Sequence, residues 1–111
     1  MFTAMKKLFA LMPLAMLLSA SQPSPVTPVI PADVQALLEK NGCAACHNLS
    51  RKLVGPMWTD IAAKKYSAQR ISALVKKPEP SNWPGYVPML AQSTIPKAEL
   101  NKIATWLSAL K

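Results

Sequence analysis

Residues 43–47 read Cys43-Ala44-Ala45-Cys46-His47, and they hold both cysteines and the single histidine of this 111-residue chain. Two thiols three residues apart, followed at once by an imidazole, admit four chemistries: a local disulfide, a thioredoxin-like redox pair, half of a zinc site, or covalent attachment of haem. Zinc would need four good ligands, and the chain offers three candidates. A thioredoxin-like pair expects a βαβ context, and no segment here shows sustained strand alternation. A plain Cys43–Cys46 disulfide fits an oxidising compartment and would precede attachment of haem in any case. Haem attachment gives all three side chains a role. Each thiol adds to one vinyl group on the same porphyrin edge, and the next residue turns beneath the ring, where its nitrogen can bind iron. Small Ala44 and Ala45 let that turn lie against the macrocycle. Two cysteines and one histidine scattered at random would form this pattern with a probability on the order of 10⁻⁴.

With His47 the only histidine, a bis-histidine iron is excluded within this chain, and the sixth ligand is Met, Lys, water or nothing. Beyond residue 21 only Met57 and Met89 carry thioethers. Met57 opens an expected helix, where methionine usually fills core. Met89 sits in Tyr86-Val87-Pro88-Met89-Leu90, in a proline-rich loop far enough along the chain to reach the other haem face. Met89 is therefore the candidate sixth ligand, and Pro88 stiffens the loop that presents it.

The remaining composition agrees with sparse, borrowed chemistry. The chain is too short for a multidomain enzyme, and its 5 carboxylates leave little for hydrolysis. Residues 1–21 have the three-part layout of a secretory signal peptide. Lys6 and Lys7 precede an apolar run from Leu8 to Leu18, and Ser19-Ala20-Ser21 supplies small residues, with the cut after Ala20 or Ser21. The run is too short, and too interrupted by Pro13, for a spanning helix of about 20 residues. Removal of Lys6 and Lys7 leaves 11 basic against 5 acidic side chains, a net charge of +6. Such a balance speeds association with acidic partner surfaces or anionic membranes. Nucleic acid is not an expected partner, nor is stable membrane insertion after cleavage.

Residues 22–31 carry Pro23, Pro25, Pro28 and Pro31 and read as an extended linker, leaving a domain over 32–111. Four helices are expected there. Val34, Leu37 and Leu38 share a face of the first, which Asn41-Gly42 stops. A short second helix over 57–65 gathers Trp58, Ile61 and Ala62 after Gly55-Pro56 restarts the chain. Ser67 caps a third with Ile71, Leu74 and Val75 on one face, ended by Pro78. Residues 78–93, with four prolines and Gly85, form an irregular loop of functional length. The fourth helix runs from near Pro96 toward Lys111, presenting Leu100, Ile103, Trp106, Leu107 and Leu110.

From about residue 32 to 111 the sequence resembles class I c-type cytochromes of the short bacterial monohaem kind. The resemblance rests on Cys43-Ala44-Ala45-Cys46-His47, Val54-Gly55-Pro56, Pro88-Met89 and the last helix around Trp106. It implies an all-α fold, about four helices wrapped around one covalently attached haem c. In that reading Cys43 and Cys46 form the thioethers, and His47 and Met89 are the axial ligands. The Pro56 carbonyl accepts a hydrogen bond from the other imidazole nitrogen of His47. Trp83 either bonds a haem propionate or simply packs. Trp106 packs where the first and last helices cross, against Gly42 or Ala36. The sequence departs from many short relatives at Leu90-Ala91-Gln92-Ser93 and Lys97-Ala98-Glu99, away from every expected ligand.

The functional expectation is a periplasmic, monomeric electron carrier rather than an enzyme, passing single electrons between redox partner proteins with acidic docking surfaces. Lys40, Arg51, Lys52, Lys76 and Lys77 are candidates for a basic rim. Two rivals share the cofactor: a gas sensor or peroxidase with an open or displaceable sixth position, and a fixed cytochrome subunit of a larger oxidoreductase. Trp58, Tyr86 and Leu90 fit either an exposed docking patch or the core.

Overall fold

Pro31, with φ −55° and ψ 143°, sets the direction of the chain into α1 (Ala32–Lys40). The helix buries Val34 and Leu38 and stops where Gly42 takes φ 75°, a left-handed setting that glycine adopts without steric cost. That reversal throws the chain into a single 3₁₀ turn, Cys43–Ala45. The computed structural model describes residues 13, 15, 17–25 and 27–111, so most of the expected export signal lies outside the described residues.

An irregular stretch leads to α2 (Trp58–Ala63), shorter than the 57–65 expected because the backbone turns over at Lys65, with φ 58°. Ser67 then caps α3 (Ala68–Lys76), its hydroxyl oxygen accepting the Arg70 amide at 3.1 Å, and Ile71 is the residue this helix buries. The loop after Lys77 contains one 3₁₀ turn, Pro80–Asn82, and is otherwise irregular as far as Pro96. The last helix, α4 (Lys97–Ala109), buries Leu100, Ile103, Ala104 and Leu107 along one side. No strand occurs among the described residues, and none of the described helices is long and apolar enough to cross a membrane.

The packing is organised around α4, against which α1, α2 and α3 each lie. One core results, made of Val34 and Leu38 from α1, Trp58 from α2, Ile71 from α3, and Ile103, Ala104 and Leu107 from α4. Ala104 is fully buried, and its small side chain lets neighbouring backbone approach closely. Two ion pairs fasten α1 to α4 at its edges: Asp33 to Lys102 at 2.6 Å and Lys40 to Glu99 at 2.7 Å. The second is a charge contact rather than an aligned hydrogen bond, since Oε1 of Glu99 has no well-directed donor. Both are partly exposed and add little stability.

Two expectations need correction. Trp106 does not pack against Gly42 or Ala36: Ala36 is exposed, and a side chain grown on Gly42 would meet no atom. Its neighbour is Trp58, met edge-on at 5.8 Å and 80°. Trp58, Tyr86 and Leu90 do not form one patch, because Trp58 belongs to the core, Tyr86 is half-buried and Leu90 is 80% exposed. Ahead of α1, Ile30 packs against the core, and Pro28, Val29 and Pro31 run beside Trp106 and Leu110. The proline-rich segment is thus anchored before the first helix begins.

Candidate haem site

The 3₁₀ turn after Gly42 brings the first three candidate residues together. Cys46 and His47 both direct their amides at the Cys43 carbonyl, at 3.2 and 3.0 Å, which coils residues 43–47 into one tight turn. The two thiols are free and half-buried. Burial pushes the Cys43 thiol up, so it stays protonated and uncharged in its apolar setting.

Among the described residues, His47 is the one buried polar side chain, 9% exposed. Its Nδ1 donates to the Pro56 carbonyl at 2.8 Å. A neutral imidazole that donates from Nδ1 keeps its lone pair on Nε2, the form that binds metal. Burial lowers the imidazole's proton affinity, more than the Pro56 bond raises it, and so favours this neutral form. Backbone bonds hold the partner loop in register: Gly55 donates to the Cys46 carbonyl at 2.8 Å and Trp58 to the Asn48 carbonyl at 2.9 Å.

Two residues without an assigned contact complete the imidazole's surroundings. A Cβ on Gly55 would fall 2.5 Å from Cε1 of His47, so only glycine fits there. Trp58 stacks on the ring with centroids 4.5 Å apart and planes 28° off parallel. Gly55 reads in sequence as a helix restart, and Trp58 as one apolar position among several. Neither gives a local signal of its contact with His47.

Cys43, Cys46 and His47 open into a cleft of about 610 Å³. Its apolar walls include Ile71, Val75, Leu100, Ile103 and Leu107, and its other long border is the loop from Pro78 to Gln92. Met89, Trp83 and Pro56 all lie on the same cleft, so every candidate cofactor residue named from the sequence lines one cavity. The loop is tied down where the Gln92 amide donates to the Val75 carbonyl at 2.9 Å. Trp83 and Tyr86 meet edge-on at 6.0 Å, with Lys64 4.7 Å above Trp83 and Lys52 4.3 Å above Tyr86. Lys64 at this position was not among the expected rim cations.

An apolar cleft in the size range of cofactor sites, bordered by two free thiols and by a neutral imidazole with its coordinating nitrogen free, fits haem c. Residues 31–111 match the family model for Cytochrome c. The chain belongs to the cytochrome c family. It is 35% identical to cytochrome c-551 of Allochromatium vinosum over 89 residues, covering 77% of this chain and 93% of that protein. Cytochrome c-551 of Pseudomonas denitrificans is 37% identical over 82 residues, 69% of this chain and 96% of the relative. The crystal structure of wild-type Nitrosomonas europaea cytochrome c552 superposes with a TM-score of 0.62 at 34% identity, covering 69% of this chain and 99% of that one. This cytochrome c therefore has the small class I fold, and its cofactor is covalently attached haem c.

The Gly55 contact generates a test. In this cytochrome c, Gly55→Ala should cost about 1–3 kcal/mol from overpacking and alter the optical spectrum of the haem, because the added methyl displaces His47. Gly42→Ala meets no atom and should cost about 1–2 kcal/mol of backbone strain with an unchanged spectrum. Thermal unfolding and absorbance measured on both variants separate the two, and unchanged spectra in both would contradict the cradle described here.

Proposed function

We propose that this protein is an exported, periplasmic monohaem cytochrome that shuttles single electrons between partner proteins as a monomer. Cys43 and Cys46 would hold the haem through thioethers, and His47 and Met89 would bind its iron. The observation that carries this reading is that one cleft is bordered by both thiols, by the His47 ring with Nε2 free, and by Met89. Bound there, haem c would supply one-electron redox chemistry, which the partner proteins would draw on.

The chain's own residues set the conditions for that exchange. Nδ1 of His47, held by the Pro56 carbonyl, fixes the tautomer and strengthens the donor nitrogen. The thioether of Met89 is a soft ligand that favours ferrous iron, as does the apolar cleft, and both raise the potential. Trp83 and Asn82 border the cleft where hydrogen bonds to a propionate can form, and the ammonium of Lys64 above Trp83 adds positive charge there.

Around the cleft mouth the surface suits docking. Val54, Val87 and Leu90 are 54%, 70% and 80% exposed and flank the cleft from two separate loops. Arg51 and Lys52 precede the first of these loops and Lys76 and Lys77 the second, all of them exposed. Lys40 is engaged by Glu99 and is not a free rim charge. An apolar contact bordered by cations fits an acidic partner surface, with the charges steering approach and the apolar side chains making the close contact.

A redox titration tests the ligand set. Met89→Ala should lower the midpoint potential by more than about 59 mV, a tenfold change in the ferric-to-ferrous ratio, while Met57→Ala should leave it near wild type. The reverse pattern would remove Met89 from the iron. Docking is tested with an acidic redox partner at low salt. Lys52→Glu combined with Lys77→Glu should slow association about tenfold, with the difference fading as salt screens it. A wild-type association rate indifferent to ionic strength would count against electrostatic docking.

A further inference from the structure

The hydrogen bond to Pro56 secures one edge of the His47 ring, and a single bond of this kind leaves the ring free to rock about it. Two flat contacts remove that freedom. On one face lies Trp58, with centroids 4.5 Å apart and planes 28° off parallel. The backbone of Gly55 is the second: a Cβ built there would sit 2.5, 2.8 and 3.1 Å from Cε1, Nδ1 and Nε2, so the chain closes directly on the ring.

Trp58 is itself held on two sides. Its amide donates to the Asn48 carbonyl at 2.9 Å, close after His47 in the chain, and its indole meets the Trp106 ring of α4 edge-on at 5.8 Å. The series Trp106, Trp58, His47 therefore runs from the helix that organises the core to the imidazole at the cleft. Trp58 is 5% exposed, so the contact with His47 is dry.

We infer that Trp58 is a positioning residue for electron transfer, one that fixes the rotational setting of the His47 imidazole beneath the haem through a face-to-face contact that Trp106 supports from behind. The inference rests on the proposed ligation of iron by His47. The donor strength and orbital overlap of an axial imidazole depend on its orientation, so a ring locked in one setting gives one iron environment and one potential. A flat indole restrains a flat imidazole by matching its whole face. An aliphatic side chain of similar size would fill the space without holding the ring's angle. No step of the exchange passes through Trp58: it neither gains nor loses an electron, and it acts on iron through His47 alone.

The experiment uses the haem-loaded protein in its ferric state and reads the low-temperature electron paramagnetic resonance spectrum, which reports the imidazole setting rather than fold stability. Wild type and Trp58→Phe should each give one narrow low-spin signal set. Trp58→Leu should give a broadened or split set with a displaced largest g value. Leu38→Ala, a truncation of a buried core residue that does not line the cleft, should lower the unfolding temperature and leave the signal as in wild type. Trp106→Leu withdraws the support from behind Trp58 and should broaden the signal partly, which keeps the test available if Trp58→Leu fails to retain haem. A wild-type signal retained in both Trp58→Leu and Trp106→Leu, or a Leu38→Ala signal as broad as theirs, would overturn the positioning role. A wild-type ferric spectrum without a low-spin signal would instead remove the six-coordinate His47/Met89 iron of the proposed function, on which the inference rests.

Discussion

The hydrogen bond from His47 Nδ1 to the Pro56 carbonyl, 2.8 Å long, is the contact on which the haem side of this fold depends. It joins the attachment turn to the loop that precedes α2, and it settles the tautomer of the one imidazole in the chain. Burial alone would leave His47 a polar group with unsatisfied donors in an apolar core, a costly state. The Pro56 carbonyl satisfies one nitrogen, and the other is directed to the cleft. Glycine is required at position 55 for the same reason, since any side chain there would occupy the space of the imidazole. Gly55 and Pro56 thus form a single device: the first lets the backbone come close, and the second presents its oxygen.

Around that device the helices act as a frame. α4 receives the other three helices and contributes three of the core side chains, and its Trp106 reaches the Trp58 that lies on His47. The core is small, as an 80-residue unit dictates, and a covalently held cofactor supplies apolar surface that such a unit otherwise lacks. The long proline-rich loop is the other half of the arrangement. It borders the cleft with Trp83, Tyr86 and Met89, and it is tied back to α3 by the bond between Gln92 and Val75. Prolines suit this loop under the proposed Met89 ligation, because a segment that presents a thioether gains from a backbone with fewer alternative conformations.

Much of this was legible in the sequence because it is encoded locally. The attachment motif is five consecutive residues, the caps at Asn41-Gly42 and Ser67 are local, and the 3.6-residue pattern of α4 names Leu100, Ile103 and Leu107 as core without reference to any other segment. What was not legible depends on contacts between distant segments. The stacking of Trp58 on His47 joins residues eleven apart across an irregular loop, and no periodicity predicts it. The same is true of Trp106, whose partner proved to be Trp58 rather than Gly42 or Ala36. Gly42 reads in sequence as a helix stop, and in the fold it is glycine for its left-handed backbone. The rim charges show the limit from another side: sequence marks Lys40 and Lys52 alike, and only the fold reveals that Glu99 engages the first while the second lies over Tyr86.

In the proposed ligation, His47 and Met89 together close the iron to other small ligands. Optical spectra of the mature wild-type protein, ferric and ferrous, with and without carbon monoxide, test it most directly. Ligation by His47 and Met89 predicts the weak far-red band of methionine sulfur bound to ferric iron, together with a ferrous spectrum that carbon monoxide leaves unchanged. A missing band and ready binding of carbon monoxide would contradict it, and would show an iron open to small ligands.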